Sequence, residues 1–174
     1  MSSQTAASTT EHRKLWPMLS AWLPVLFCVL VIAVESTAYF GADHTTGPLR
    51  RFCEWLLHHR FADAQWDEVH HYIRKCGHFT GYGILSAAWF RAFWMTFRQR
   101  LTDFSARWKL HGLALLGTLL VASADEFHQS FLPNRTSSIY DVLLDCTGGL
   151  VVQLLIWTVM RGRNRDSKHG SLAG

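Results

Sequence analysis

Leu15–Val34, LWPMLSAWLPVLFCVLVIAV, carries no charged residue over 20 positions, and a helix needs about 20 consecutive apolar residues to cross the hydrocarbon of a bilayer. A secretory leader has a shorter apolar region followed by a small-residue cleavage site, so the stretch reads as a retained span. A second span is predicted over Cys76–Phe97, where Gly77, Gly81, Gly83, Ser86 and Ala87 would let another helix approach closely. The third has an uncharged part, Leu110–Ala124, of only 15 residues. At about 1.5 Å rise per residue this is too short to cross, so the helix must use Arg107–Lys109 as a snorkelling end or carry Asp125 and Glu126 into the membrane edge. A fourth span covers Ile139–Met160. The expected fold is all-α, a membrane bundle of four transmembrane helices.

The composition agrees with that reading. In 174 residues, 49% are apolar, with 8 Trp and 11 Phe, which is rich for a soluble protein. The net charge of +4 is modest and matters by position. Residues 1–14 are Ser/Thr/Ala-rich with no apolar face, and read as a disordered tail. Residues 15–160 form the membrane domain, and 161–174 a basic tail. The N-terminal tail, the 98–109 loop and the C-terminal tail hold two, four and four basic residues. Because Lys and Arg concentrate in cytoplasmic loops, four spans place these three segments, and both termini, inside. Arg91 then lies near the inner surface. Residues 41–75 form an outer polar loop, in which LRRFCEWLLHHRF (49–61) has helical apolar spacing and is expected to lie on the membrane as an amphipathic helix. His58, His59, His70 and His71 read as solvated there. Cys28, Cys53, Cys76 and Cys146 show no metal-ligand spacing. They read as free thiols, with a disulfide among Cys76, Cys146 and Cys53 left open by the oxidising outer space.

This topology gathers polar residues at the outer leaflet. The segment 125–145, DEFHQSFLPNRTSSIYDVLLD, contains Asp125, Glu126, Asp141 and Asp145 with His128, Gln129 and Arg135. Glu35 ends the first span at the same level. Ionisable groups at the edges of spans are costly unless they face a protein interior or a wet cavity, and so are candidate site residues. Lys75, His78 and Tyr82, at i, i+3 and i+7, share one helical face, as do the i, i+4 pairs Asp125/Gln129 and Asp141/Asp145. His128 falls on the other side of its helix from Asp125 and reads as structural.

The stretch RKCGHFTGYGIL (74–85) resembles the Arg-Lys-x-x-His-Phe-x-x-Tyr-x-x-Leu signature of the VanZ-like family, and DEFHQSFLPNRTSSIYDVLLDCTGG (125–149) resembles its second signature. The resemblance covers roughly residues 20–160. It implies a small polytopic membrane protein of a family whose founding member is associated with resistance to teicoplanin-type glycopeptides. The positions that match are Lys75, His78, Tyr82, Asp125, Glu126, Gln129, Arg135 and Asp141. Two departures stand out. Pro133-Asn134-Arg135 replaces Pro-Gly-Arg, and Asn is a residue that tolerates a left-handed turn. Asp145 stands where the family has Asn, which adds a negative charge.

Three kinds of site follow from these residues. The first is a binding or structural pocket for a cell-envelope lipid, a phosphorylated lipid or a glycopeptide-like amphiphile, with Lys75, Tyr82, Gln129, Arg135, Asp145 and Glu35 as ligands. The second is a membrane enzyme acting on a lipid phosphate, with Arg135 as a bidentate fork and Lys75 as a point charge. His78 would be its nucleophile or acid–base, oriented by Asp125, Glu126 or Asp141. Its residue types match those of lipid-phosphate phosphatases, but their Pro-Ser-Gly-His and Ser-Arg patterns are absent. The third is a metal site on His78 with Asp125, Glu126 and Asp141, which the neighbouring Lys75 and Arg135 oppose. The expected partners are the bilayer and an envelope substrate, with no metal, no cofactor and no nucleic acid.

Overall fold

The computed structural model describes residues 2–37, 42–98, 104–132 and 137–170, with side chains over 16–37, 46–98, 107–132 and 137–162. The described residues form five helices and no strand: α1 (Ser2–Glu35), α2 (Ala42–Leu57), α3 (Asp63–Phe97), α4 (Phe104–Gln129) and α5 (Ile139–Gly170). Three of them are long and apolar enough to cross a bilayer, over Trp16–Glu35, Arg107–Gln129 and Ile139–Gly162. The predicted second span, 76–97, does not reach that standard.

The reason lies in where α3 sits. It packs against α1, α4 and α5 together and supplies the centre of the core, with Tyr82, Leu85, Ala88 and Ala92 buried against Val25 of α1, Ala122 of α4 and Val142 of α5. A helix whose neighbours are other helices can carry polar and small residues that a lipid-facing helix cannot. By contrast α1 exposes Leu19, Leu23, Leu26 and Leu30 along one stripe.

The region 41–75 is mostly helical rather than a polar loop. α2 covers 42–57 and α3 begins at Asp63. α2 exposes Phe52, Trp55, Leu56 and Leu57, as an amphipathic surface helix would. Arg50 clasps the α2–α3 corner by bonding Glu54 (3.0 Å), Asp63 (2.7 Å) and the Phe61 carbonyl. The guanidinium and the Phe61 N–H hold the Glu54 carboxyl below its ordinary range. His70 is not solvated. It is buried, stacked on Trp66 with ring centroids 5.7 Å apart, and 3.3 Å from the Thr46 hydroxyl. At the chain ends, helical backbone runs from Ser2 and on to Gly170, into both segments that the sequence assigns to tails.

Two features fix the packing. Pro24 has no N–H to offer the Ser20 carbonyl, the acceptor one turn earlier in the helix. Arg91 of α3 supplies the missing donor at 2.7 Å, and a second contact to the Ala21 carbonyl at 3.3 Å. A cation that the sequence places near the inner surface is thus tied to the α1 backbone. On the other side of α3, Gly148 brings α5 into backbone contact, since a Cβ there would lie 2.2 Å from the Phe79 carbonyl oxygen. Only glycine permits that approach.

Candidate functional site

α3 and α5 run parallel, and their contact builds a charged layer near the start of α5 and the middle of α3. Lys75 pairs with Asp141. One turn further along, His78 Nδ1 lies 3.4 Å from Asp145 Oδ1, an ionic distance without hydrogen-bond geometry. Another turn on, Tyr82 donates its hydroxyl to Asp125 Oδ2 at 2.9 Å, which brings in α4. The face shared by Lys75, His78 and Tyr82 therefore meets a different carboxylate at each position.

The layer is buried. Asp145 is 0%, Gln129 3%, Glu126 4% and Asp125 7% exposed. Glu126 Oε2 accepts the Ser138 N–H at 2.9 Å, joining the end of α4 to the start of α5. Among the described residues, Asp125 Oδ1 and both oxygens of Asp145 have no hydrogen-bond donor. Groups of this kind are rare in folded proteins and call for an explanation. Lys75 is engaged by Asp141, and Arg135, with Pro133 and Asn134, lies outside the described residues. Among the described residues no group of three His, Cys, Asp or Glu is placed to hold a metal ion.

Two clefts open beside these carboxylates. A narrow one of ≈ 30 Å³ is lined by Glu35 of α1 and Ser36 just after it, Gly77, His78 and Tyr82 of α3, and Asp125 and Gln129 of α4, among others. A wider one of ≈ 440 Å³ runs between α1 and α4 along Val29, Ile32, Leu120 and Val121, and ends at Asp125 and His128. Ile32, Ser36 and Asp125 belong to both walls. Ser36 Oγ lies 3.0 Å from His128 Nδ1, so His128 ties α4 to the residue just after α1 at the rim. Against expectation His128 is on the same side of α4 as Asp125, because residues three apart share a helical face, and both line the wider cleft. Lys75 and Asp141 flank this arrangement without lining either cleft.

Deeper in the bundle lies a second polar layer that the sequence reading missed. Gln153 of α5 donates Nε2 to the Ser86 carbonyl (2.9 Å) and hydroxyl (2.8 Å) on α3, and its Oε1 accepts from His111 Nδ1 on α4 at 2.7 Å. Phe90 stacks on His111 with centroids 4.5 Å apart. The available signal was two isolated polar residues, Gln153 in the middle of an apolar run and His111 at the start of one. The four cysteines are free, and no disulfide joins Cys76, Cys146 or Cys53.

A protein-family model described as VanZ/LLP1 matches residues 18–161. No curated protein and no solved structure matches the chain.

Proposed function

The chain belongs to the VanZ/LLP1 family, and from that premise we propose that it is a cell-membrane protein that binds one amphiphile of the cell envelope. The polar head would lie in the acidic layer and the chain in the α1/α4 cleft. The observation that carries this reading is the shared wall. Asp125, Ser36 and Ile32 line a small polar cleft and a large apolar one at once, and an amphiphile needs those two environments side by side. In this reading α3 crosses the membrane as the fourth span, screened from lipid by α1, α4 and α5, with both termini cytoplasmic and the acidic layer outward. An envelope lipid, a lipid-linked precursor and a glycopeptide-like amphiphile all have this form, and loss of susceptibility to a glycopeptide is one expected phenotype.

The test uses the full chain in phosphatidylcholine nanodiscs with dansyl-tagged undecyl chains ending in an alcohol, a phosphate or a primary ammonium. Saturable fluorescence above that of empty nanodiscs is expected for at least one chain, and should be lost in Ala124→Trp, which fills the apolar cleft. Purely linear partitioning for all three would overturn the reading.

One observation favours a second reading. His78 has its Nδ1 turned toward Asp145 at 3.4 Å, the arrangement of a base held by a carboxylate, which would suit hydrolysis of a lipid phosphate. That reading requires phosphate release from an isoprenyl phosphate by the wild type and its loss in His78→Ala. If the wild type releases none, it falls.

A further inference from the structure

The chemistry of the head group is written in what the acidic layer lacks. Among the described residues, Asp125 Oδ1, Asp145 Oδ1 and Asp145 Oδ2 are buried acceptors with no donor, while the layer's lysine is occupied by Asp141. A carboxylate oxygen withdrawn from water and left without a donor is costly to hold. Among the described residues the deficit beside the cleft is therefore of N–H or O–H donors. A phosphate head would bring more acceptors and more negative charge to the same place.

Size gives an independent restriction. The polar cleft measures ≈ 30 Å³, where one water needs about 10–15 Å³ on the same measure. Two or so water-sized groups fit, enough for a methylene and an ammonium but not for a phosphoryl group with its oxygens. Asp125, 7% exposed and with Oδ1 unpartnered, stands at the point where this cleft meets the apolar one. Tyr82 holds its other oxygen at 2.9 Å, which fixes the carboxylate in place.

We propose that the cleft between α1, α3 and α4 receives a primary ammonium group of an amphiphile, with Asp125 Oδ1 as its counter-ion and the attached chain lying along Val29, Ile32, Leu120 and Val121. The ammonium supplies three donors to a place that has acceptors to spare. Asp145, fully buried behind His78, adds to the negative potential that draws it in. This assignment rests on the amphiphile-binding reading and narrows it to aminated head groups.

The three dansyl chains decide the matter in nanodiscs of zwitterionic phosphatidylcholine. In the wild type the ammonium chain should bind about tenfold more tightly than the alcohol, and the phosphate chain no better than the alcohol. Asp125→Asn, which keeps an oxygen for Tyr82, should abolish the preference, so that within the variant the ammonium chain binds no more tightly than the alcohol. Equal affinities in the wild type, or a preference that survives Asp125→Asn, would overturn the assignment. The wild-type comparison stands even if that variant does not fold. If Ala124→Trp abolishes binding of every chain but the head group makes no difference, the amphiphile site stands and the ammonium falls. If no chain saturates, both fall.

Discussion

The two polar layers of the bundle are built by the same three helices and differ in nearly everything else. The outer one uses Lys75, His78 and Tyr82 of α3, Asp141 and Asp145 of α5, and Asp125 of α4. The inner one uses Ser86, Gln153 and His111. Each α3–α5 pair of the inner layer lies eight residues beyond its outer counterpart, 78 to 86 and 145 to 153, about 12 Å by helix rise. The inner layer has no carboxylate and is buried, with both Gln153 groups bonded. The outer layer is charged, carries three donorless oxygens and borders two clefts. Polar groups that complete one another hold helices together. Polar groups that leave acceptors over are kept at a cost to stability, which is where function is to be sought.

Because one register sets both layers, a change between them should remove both, and this is the largest expected effect. A methyl group at Gly148 would meet the Phe79 carbonyl oxygen at 2.2 Å and its carbon at 3.0 Å. Both are backbone atoms, so no rotamer can relieve the contact, and α5 must move away from α3. Gly148→Ala should cost about 3 kcal/mol, the upper end for overpacking, and lower the unfolding temperature in detergent. Gly112→Ala faces open space and should be neutral or slightly stabilising. Equal behaviour of the two variants would mean that the α3–α5 contact does not set the register.

The comparison is tested most directly by neutralising each layer in turn. Gln153→Leu strands the His111 N–H and the Ser86 hydroxyl in a dry interior and should cost about 1–3 kcal/mol. Asp145→Asn removes the carboxylate charge that faces His78 at 3.4 Å but keeps the side chain's shape, and should cost less than Gln153→Leu while weakening ligand binding. Thermal unfolding of both variants, side by side with the binding titration, gives the answer. If Asp145→Asn proves the more destabilising, the outer carboxylate is a structural element and the contrast between the layers is lost.

Sequence made the outer layer legible for a physical reason. Ionisable residues beside apolar runs are rare enough to be noticed, and helical spacing alone places Lys75, His78 and Tyr82 on one face. The inner layer was illegible because one His and one Gln within apolar helices carry no periodic signal, and their pairing depends on a register that only packing sets. The central place of α3 was hidden likewise. Its polar and small residues lower its hydropathy because three helices cover it, whereas a reading span by span gives each helix equal contact with lipid. His70 was misread because the apolar partner that shelters it, Trp66, precedes the predicted start of the helix. The segment 133–136, with Arg135, lies outside the described residues, so the expected place of Arg135 in the site is carried by the sequence alone.

The smallest effects should come from single hydroxyl groups, and their ranking sharpens the comparison further. Tyr82→Phe removes the one hydrogen-bond donor that Asp125 has among the described residues, and should cost about 1.5–3 kcal/mol, as for bonds to charged groups. Ser86→Ala also deletes a buried hydroxyl, but Gln153 Nε2 still donates to the Ser86 backbone carbonyl at 2.9 Å, so about 0.5–1 kcal/mol is expected. The inner layer has a second acceptor in place and the outer layer has no second donor among the described residues. Chemical denaturation of the two variants under one detergent condition measures the difference. A cost for Ser86→Ala equal to or above that for Tyr82→Phe would show that the Asp125 carboxyl is already neutralised without Tyr82, and would place the outer layer's missing charge elsewhere.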